Sequence, residues 1–134
     1  MISIERAIDP LSGERFCCVF DTETCLPVEP IQRYLNYCRK RGLAANTINT
    51  YACRLVDFWH WLEYFSLDWH SVGLDELADF VNWYLLGGEV EVISESVRES
   101  VSKRSARTVN LAVTAIQEMY SYHIDSGRVS EKRF

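Results

Sequence analysis

The amino-acid sequence predicts an all-α fold, a bundle of four to five helices built as two helical hairpins behind a short extended or β-hairpin N-terminal arm. Apolar residues recur at helical spacing in four separate segments, and glycine or proline stands near the ends of most of them. The first 28 residues instead show no helical period and contain one β-prone run. We therefore divide the chain into an arm (1–28), a helical domain (29–129) and the start of a linker (130–134).

The arm contains the apolar run Phe16 to Phe20, which is typical of a strand. The polar residues 21–24 that follow it favour a turn, and Cys25 to Val28 could return alongside the run. The sequence thus predicts a small hairpin in which the second strand follows the apolar run.

The first helical hairpin is expected over residues 29–64. Helix one, about 29–41, has Pro30 in its first turn and Gly42 at its C-terminal cap. Helix two is expected to begin with Asn46 as its N-cap residue and to run to about Tyr64. The predicted inward residues of the two helices are Ile31, Tyr34, Leu35, Cys38, Ile48, Tyr51, Ala52, Leu55, Val56, Phe58, Trp59 and Leu62.

The second helical hairpin is expected after a loop over 66–73. Helix three begins at Asp75 or the residue before it and ends at Gly87-Gly88, and helix four begins near Ser105 and stops at Gly127. Between them, residues 89–103 are predicted to form an exposed connection with a short strand over 90–93. The predicted inward residues are Leu77, Phe80, Val81, Tyr84, Leu85, Val109, Ala112, Val113, Ile116, Tyr120 and Ile124.

Composition excludes several classes of protein. Apolar residues make up 48% of the chain and aromatic residues 13%, which indicates a folded domain with a real core. No apolar run of about 18 residues is present, so no membrane span or membrane partner is predicted. The five cysteines are an odd number without framework spacing, and the N-terminus lacks the pattern of a signal peptide. These features predict a reducing, cytoplasmic setting.

Charge is distributed unevenly along the chain, although the net charge is −5. Residues 29–54 carry five basic residues and one acid, a net charge of +4, and residues 102–117 carry three basic residues and no acid. Residues 55–88 carry six acids and no base. Positive charge therefore coincides with the predicted starts of helices two and four. Helix N-termini present unpaired N–H groups and a partial positive charge, so both starts suit phosphate.

The ordered set of these elements resembles the N-terminal core-binding domain of tyrosine recombinases, the phage-integrase family. The resemblance covers residues 31–129 and lies in the order of several weak motifs. Helix one ends in a basic residue and glycine (Arg41-Gly42), and a threonine then opens a helix with a tyrosine four residues on (Thr47, Tyr51). The later motifs are the acidic-Leu start at 75–77, the Ser-x-x-Thr-hydrophobic-Asn start at 105–110 and the Gly-hydrophobic ending at 127–129.

The resemblance implies the SAM-like fold of integrase N-terminal domains and a module that binds double-stranded DNA without catalysing strand cleavage. It also implies two protein partners: a C-terminal catalytic domain, absent from these 134 residues, and other recombinase protomers. In the family, helices two and four lie against the DNA. Carried over by position, the predicted DNA-binding residues are Asn46, Thr47, Thr50, Arg54, Lys103, Arg104, Ser105, Arg107, Thr108, Asn110 and Thr114.

The chemistry of these side chains suits two kinds of contact. Threonine and asparagine near the helix starts would mostly hold phosphates, which sets register without reading sequence. Arg54, Arg107 and Asn110 could also reach base edges, because arginine suits guanine and asparagine suits adenine.

A competing interpretation is a helical protein-interaction module without DNA binding. In that case the basic helix starts face solvent, and exposed aromatic residues bind a protein partner. Four aromatic residues, which would otherwise pack in the core or stack on single strands, are candidates for that surface: Trp61, Tyr64, Trp69 and Trp83.

Enzyme, cofactor and metal sites are not predicted. A metal site could combine the cysteines with His60, His70 or His123. The sequence contains neither C-x-x-C nor H-x-x-x-H spacing, so no metal site is expected. The tyrosines lack an accompanying set of Arg, Lys and His residues, so no catalytic residue is assigned.

Overall fold

A computed structural model describes residues 1–87 and 104–129 of the chain. Its elements are strands β1 (Ile2–Ile8) and β2 (Arg15–Asp21), helices α1 (Glu29–Lys40), α2 (Ala45–Tyr64), α3 (Leu74–Leu85) and α4 (Ala106–Asp125), and a 3₁₀ turn at Trp69–Ser71. The described residues thus contain four α-helices and a two-stranded antiparallel sheet, as the sequence predicts. The strand expected at Val90 to Ile93 and the linker at 130–134 lie outside the described residues.

The hairpin pairs the apolar run with the segment before it, so the prediction that the second strand follows the run was wrong. Ile2 lies opposite Asp21, and Ile8 lies opposite Arg15. The turn between the strands is built by Asp9, whose Oδ1 accepts the Leu11 N–H at 2.9 Å, and by Gly13, which adopts a φ of +71°. On the other side, the residues after β2 form a single bridge between Phe20 and Pro27.

One face of the hairpin packs on the helices. Ile2, Cys17 and Val19 on this face are buried in the same core as the helical residues. Gln32 of α1 fixes β2 in place, because its Oε1 accepts the Val19 N–H at 2.9 Å and its Nε2 donates to the Cys17 carbonyl at 3.1 Å. The hairpin is therefore held to α1 by both apolar contacts and backbone hydrogen bonds.

The helix ends follow their local sequence closely. Pro30 lies in the first turn of α1, and Gly42 follows that helix with a φ of +82°, a conformation that L side chains rarely adopt. The Ser105 side chain caps α4 by accepting the Thr108 N–H at 3.2 Å, and Gly127 follows α4 with a φ of +75°. These ends confirm the predicted bounds to within one or two residues.

Helix α4 packs against α1, α2 and α3, and the core lies between these four helices. All four predicted residues of α1 are buried. Phe58 of α2 is fully buried at the centre of an aromatic cluster that includes Trp61, Phe80 and Tyr120. His123 is also fully buried; its Nε2 donates to the Pro30 carbonyl at 2.8 Å, and burial lowers the pKa of the ring below its usual value.

Candidate nucleic-acid interface

The start of α2 differs from its prediction in one respect. Ala44, and not Asn46, is the N-cap residue, and no side chain caps the helix. The left-handed Gly42 closes α1, and the Leu43 N–H bonds back to the Cys38 carbonyl at 3.1 Å, so the connection is short and α2 begins at the strong helix former Ala45. The first N–H groups of α2 therefore lack a side-chain acceptor.

Three predicted contacts follow along the first turns of α2. Asn46 is exposed, whereas Thr47 and Thr50 are half-buried. The Thr50 hydroxyl donates to the Asn46 carbonyl at 2.9 Å, so its proton is already used inside the helix. Asn46 is consequently the most accessible of the three side chains.

Arg54 is turned toward the domain. Its Nη2 lies 3.7 Å from the Asp57 carboxylate, and its Nε is buried without a hydrogen-bond partner among the described residues. The same carboxylate accepts the hydroxyl proton of the fully buried Tyr84 at 2.5 Å. Burial, and then the neighbouring Asp57, raises the pKa of Tyr84 well above its usual value, so the hydroxyl stays protonated and remains a donor.

Arg104 is held against the ring of Tyr84. Its guanidinium lies 3.9 Å from the centre of the Tyr84 ring, and its Nη1 donates to the Tyr84 carbonyl at 3.1 Å. Its backbone N–H donates to the Leu85 carbonyl at 3.2 Å. Arg104 thus joins the start of α4 to the end of α3, and Arg54 and Arg104 both contribute to one polar cluster around Tyr84.

The first turns of α4 carry an exposed polar row. Arg107, Asn110 and Thr114 are all exposed and follow a spacing of i, i+3 and i+7, which places them on one face of the helix. Arg107 makes no ion pair among the described residues. Further along α4, Glu118 accepts the Tyr34 hydroxyl at 2.8 Å and adds negative charge. The part of α4 that suits an anion is therefore limited to its first turns.

Two further predicted contacts build the cap of α4. Ser105 is exposed, and its Oγ lies 3.0 Å from the hydroxyl of the half-buried Thr108 as well as accepting the Thr108 N–H. Both hydroxyls are thus at the positive end of the helix dipole. Lys103, the remaining predicted contact, lies outside the described residues.

A third group of basic residues was not predicted from the sequence. Arg6 and Arg15 of the hairpin and Arg39 of α1 line a cavity of about 470 Å³ between the hairpin and the helices. The cavity reaches the start of α2, where Asn46 and Asn49 are part of its lining. The period-2 alternation of β1 would place Ile2, Ile4, Arg6 and Ile8 on one face, but that signal becomes useful only when β1 is recognised as a strand.

The aromatic residues considered as a separate binding surface are mostly packed. Trp61 is buried, Trp69 and Trp83 are half-buried, and Tyr64 is 49% exposed. Tyr64 and its neighbour Phe65 form an edge-to-face pair with ring centres 5.1 Å apart at the end of α2. This pair is the aromatic surface that the α2 end offers to solvent.

The five cysteines are free thiols. Within residues 1–87 and 104–129, no group of three His, Cys, Asp or Glu side chains is placed to hold a metal ion. None of the helices in these ranges is long and apolar enough to cross a membrane.

The hairpin and the four packed helices define a small helical domain with basic and amide side chains at two helix starts. The chain matches the description "Phage integrase, N-terminal SAM-like domain" over residues 31–127, which is more than half of its length, and it belongs to that family. The matched domain is a non-catalytic part of integrases. Comparisons with curated proteins and with solved structures found no match.

Proposed function

We propose that this chain binds double-stranded DNA as the non-catalytic core-binding domain of a tyrosine-type recombinase or integrase. The observation that carries the proposal is the exposed row of Arg107, Asn110 and Thr114 at the start of α4, within a domain of the integrase family. A helix start with an exposed amide and an arginine that makes no ion pair among the described residues offers one charge and several hydrogen-bonding groups to a phosphate backbone.

The start of α2 would supply a second contact. The N–H groups after Ala44 have no side-chain cap, and Asn46 is exposed beside them. At a helical rise of about 1.5 Å per residue, Asn46 lies about 12 Å along α2 from Arg54. Arg54 belongs to the Tyr84 cluster, which also holds Arg104 at the start of α4. The two helix starts would therefore contact different phosphates of one duplex.

In this proposal Arg54 and Arg104 have a double role. Both are only half-buried, so their guanidiniums can meet an approaching phosphate, but both also hold α2, α3 and α4 together around Tyr84. Their substitution would mix a loss of binding with a loss of stability. Arg107 is the cleaner residue to change, because it is exposed and makes no ion pair with the described residues.

Other partners follow from the same proposal. A C-terminal catalytic domain would close around the duplex from the other side, and further protomers would assemble at paired sites. The exposed Tyr64–Phe65 pair is a surface for such protein contacts, and it is also the observation that favours the competing function, a protein-interaction module without DNA binding.

We expect Arg107→Gln to weaken duplex binding and to reduce the slope of log K against log salt by about 0.9, because one phosphate contact is lost. Fluorescence anisotropy of a labelled duplex over a low-to-moderate salt series measures both quantities. Thermal unfolding should be almost unchanged, since the side chain is exposed.

Arg33→Gln is the matched control for this test. It removes the same charge from an exposed arginine, which is paired with Glu29 through Nε–Oε1 at 2.6 Å near the start of α1. Equal effects of the two variants would show that only total charge matters and would refute a specific contact at α4. An absence of duplex binding together with capture of a protomer through Tyr64 and Phe65 would favour the protein-interaction module.

A further inference from the structure

The cavity between the hairpin and the helices collects three arginines from three elements. Arg6 lies on β1, Arg15 on β2 and Arg39 on α1, and all three line the same space of about 470 Å³. None of the described residues in its lining is acidic. Three positive charges around one cavity repel one another unless an anion or solvent separates them.

The strand register places two of the arginines on one face of the hairpin. Arg6 lies opposite Cys17 and Arg15 lies opposite Ile8, so both project from the face of the hairpin that carries the buried Cys17. They are diagonal neighbours on that face, where such residues stand roughly 7–8 Å apart and their Cβ atoms somewhat closer. At this end of the hairpin the helices no longer cover the strands, and Ile8 is 61% exposed.

The arginines are free to bind a ligand. Among the described residues, no carboxylate lies within 4.0 Å of Arg6, Arg15 or Arg39. Arg39 lies 5.0 Å from the centre of the Phe16 ring, which holds the guanidinium at the cavity. Asp9 in the hairpin turn does not line the cavity; its Oδ1 accepts the Leu11 N–H at 2.9 Å, and this hydrogen bond is the main cause that holds the pKa of Asp9 below its usual value.

The rest of the lining adds polar groups to the site. Asn36, Asn46 and Asn49 add amide groups, although the Asn36 oxygen accepts from Gln32 Nε2 at 3.1 Å and the Asn49 oxygen accepts from the Cys17 thiol. Four apolar side chains also line the cavity: Ile8, Phe16, Leu35 and Ile48. The cavity also reaches the uncapped start of α2, which adds a partial positive charge.

We infer that this cavity is a phosphate-binding site through which the hairpin holds the backbone of the duplex that contacts the start of α2. The inference rests on the proposed function, because it takes the phosphate from DNA. Asn46 belongs both to the lining of the cavity and to the start of α2 that is proposed to contact DNA. This shared residue favours a phosphate of the DNA backbone over a free phosphate.

The test is the salt dependence of duplex binding by the double variant Arg6→Gln/Arg15→Gln. Both arginines are exposed, so the variant should fold, which far-ultraviolet circular dichroism checks. We expect the slope of log K against log salt to fall by about 1.8, which corresponds to two lost phosphate contacts. The control Arg33→Gln/Arg128→Gln removes the same charge from exposed residues near the start of α1 and the end of α4, and it should keep the wild-type slope.

The outcomes separate the inference from the proposed function. A wild-type slope in Arg6→Gln/Arg15→Gln, with a reduced slope in Arg107→Gln, would overturn the hairpin site and leave DNA binding intact. An absence of duplex binding by the unsubstituted chain would overturn both. A second measurement uses inorganic phosphate at matched ionic strength and follows thermal unfolding. If phosphate stabilises the unsubstituted chain but not Arg6→Gln/Arg15→Gln, and if this variant binds the duplex as the unsubstituted chain does, the site binds a free phosphate. That result would overturn the assignment to the DNA backbone.

Discussion

Phe58→Ala should lower the free energy of unfolding by about 3–5 kcal/mol, because it removes a large side chain from the centre of the core. Phe58 is fully buried, and its ring centre lies 5.2 Å from that of Phe80 on α3 and 6.3 Å from that of Tyr120 on α4. The residue thus joins three helices, and the cavity left by alanine cannot be filled without moving them. Chemical denaturation monitored by tryptophan fluorescence measures the change.

Phe65→Ala is the matched control for this prediction. Phe65 directly follows the same helix and is 43% exposed, so its removal should cost about 1 kcal/mol or less. Equal costs for the two variants would contradict the central position of Phe58 and the packing of α2 against α3 and α4.

Asp57→Ala should lower the free energy of unfolding by about 1–3 kcal/mol, because it leaves a buried hydroxyl without an acceptor. The fully buried Tyr84 donates to the Asp57 carboxylate at 2.5 Å, and Arg54 lies 3.7 Å from the same group. Asp79→Ala, which removes an exposed carboxylate from α3, should change stability by less than about 0.5 kcal/mol.

A double-mutant cycle isolates this hydrogen bond from general effects of charge. In the Tyr84→Phe background the hydroxyl is absent, so Asp57→Ala should cost clearly less than it does in the unsubstituted chain. A cost that is the same in both backgrounds would mean that Asp57 stabilises the domain by another route, and the Tyr84 cluster would lose its proposed role in joining α2, α3 and α4.

Much of the helical fold was predictable because local signals agree with tertiary packing. The apolar residues of α1 repeat at helical spacing, and all four are buried. Serine is a favoured N-cap residue, and the Ser105 side chain accepts the N–H of Thr108, three positions later. Gly42 and Gly127 adopt the positive φ that glycine favours. For the apolar face of α1 and for these helix ends, residues within a few positions of one another determine the local structure.

The hairpin was mispredicted because strand pairing is not local. The run from Phe16 to Phe20 had two possible partners, and the turn over residues 9–14 was not recognised as the connection. Asp9 and Gly13 are the usual turn residues in that segment. In the structure the partner is β1, whose Ile2 packs in the same core as Cys17 and Val19 of the run.

The candidate interface was predictable only in part, for a related reason. Arg107 and Asn110 occupy exposed positions at a helix start, as the sequence suggests. Arg54 pairs with Asp57 three residues along the same helix, but Asp57 contacts Tyr84 27 positions away, and Arg104 contacts Tyr84 20 positions away. Sequence spacing does not reveal these long-range contacts. The arginines of the hairpin cavity were missed because they meet only through the register of β1 and β2.

The most direct test of the DNA-binding proposal is amide chemical-shift mapping of the isotopically labelled chain during titration with a duplex. We predict perturbations at Asn46 and Thr47 on α2 and at Arg107 and Asn110 on α4, with the Tyr64–Phe65 end of the domain unchanged. Perturbations confined to the Tyr64–Phe65 end, or an unchanged spectrum at a large excess of duplex in low salt, would contradict the proposal that the two helix starts hold DNA.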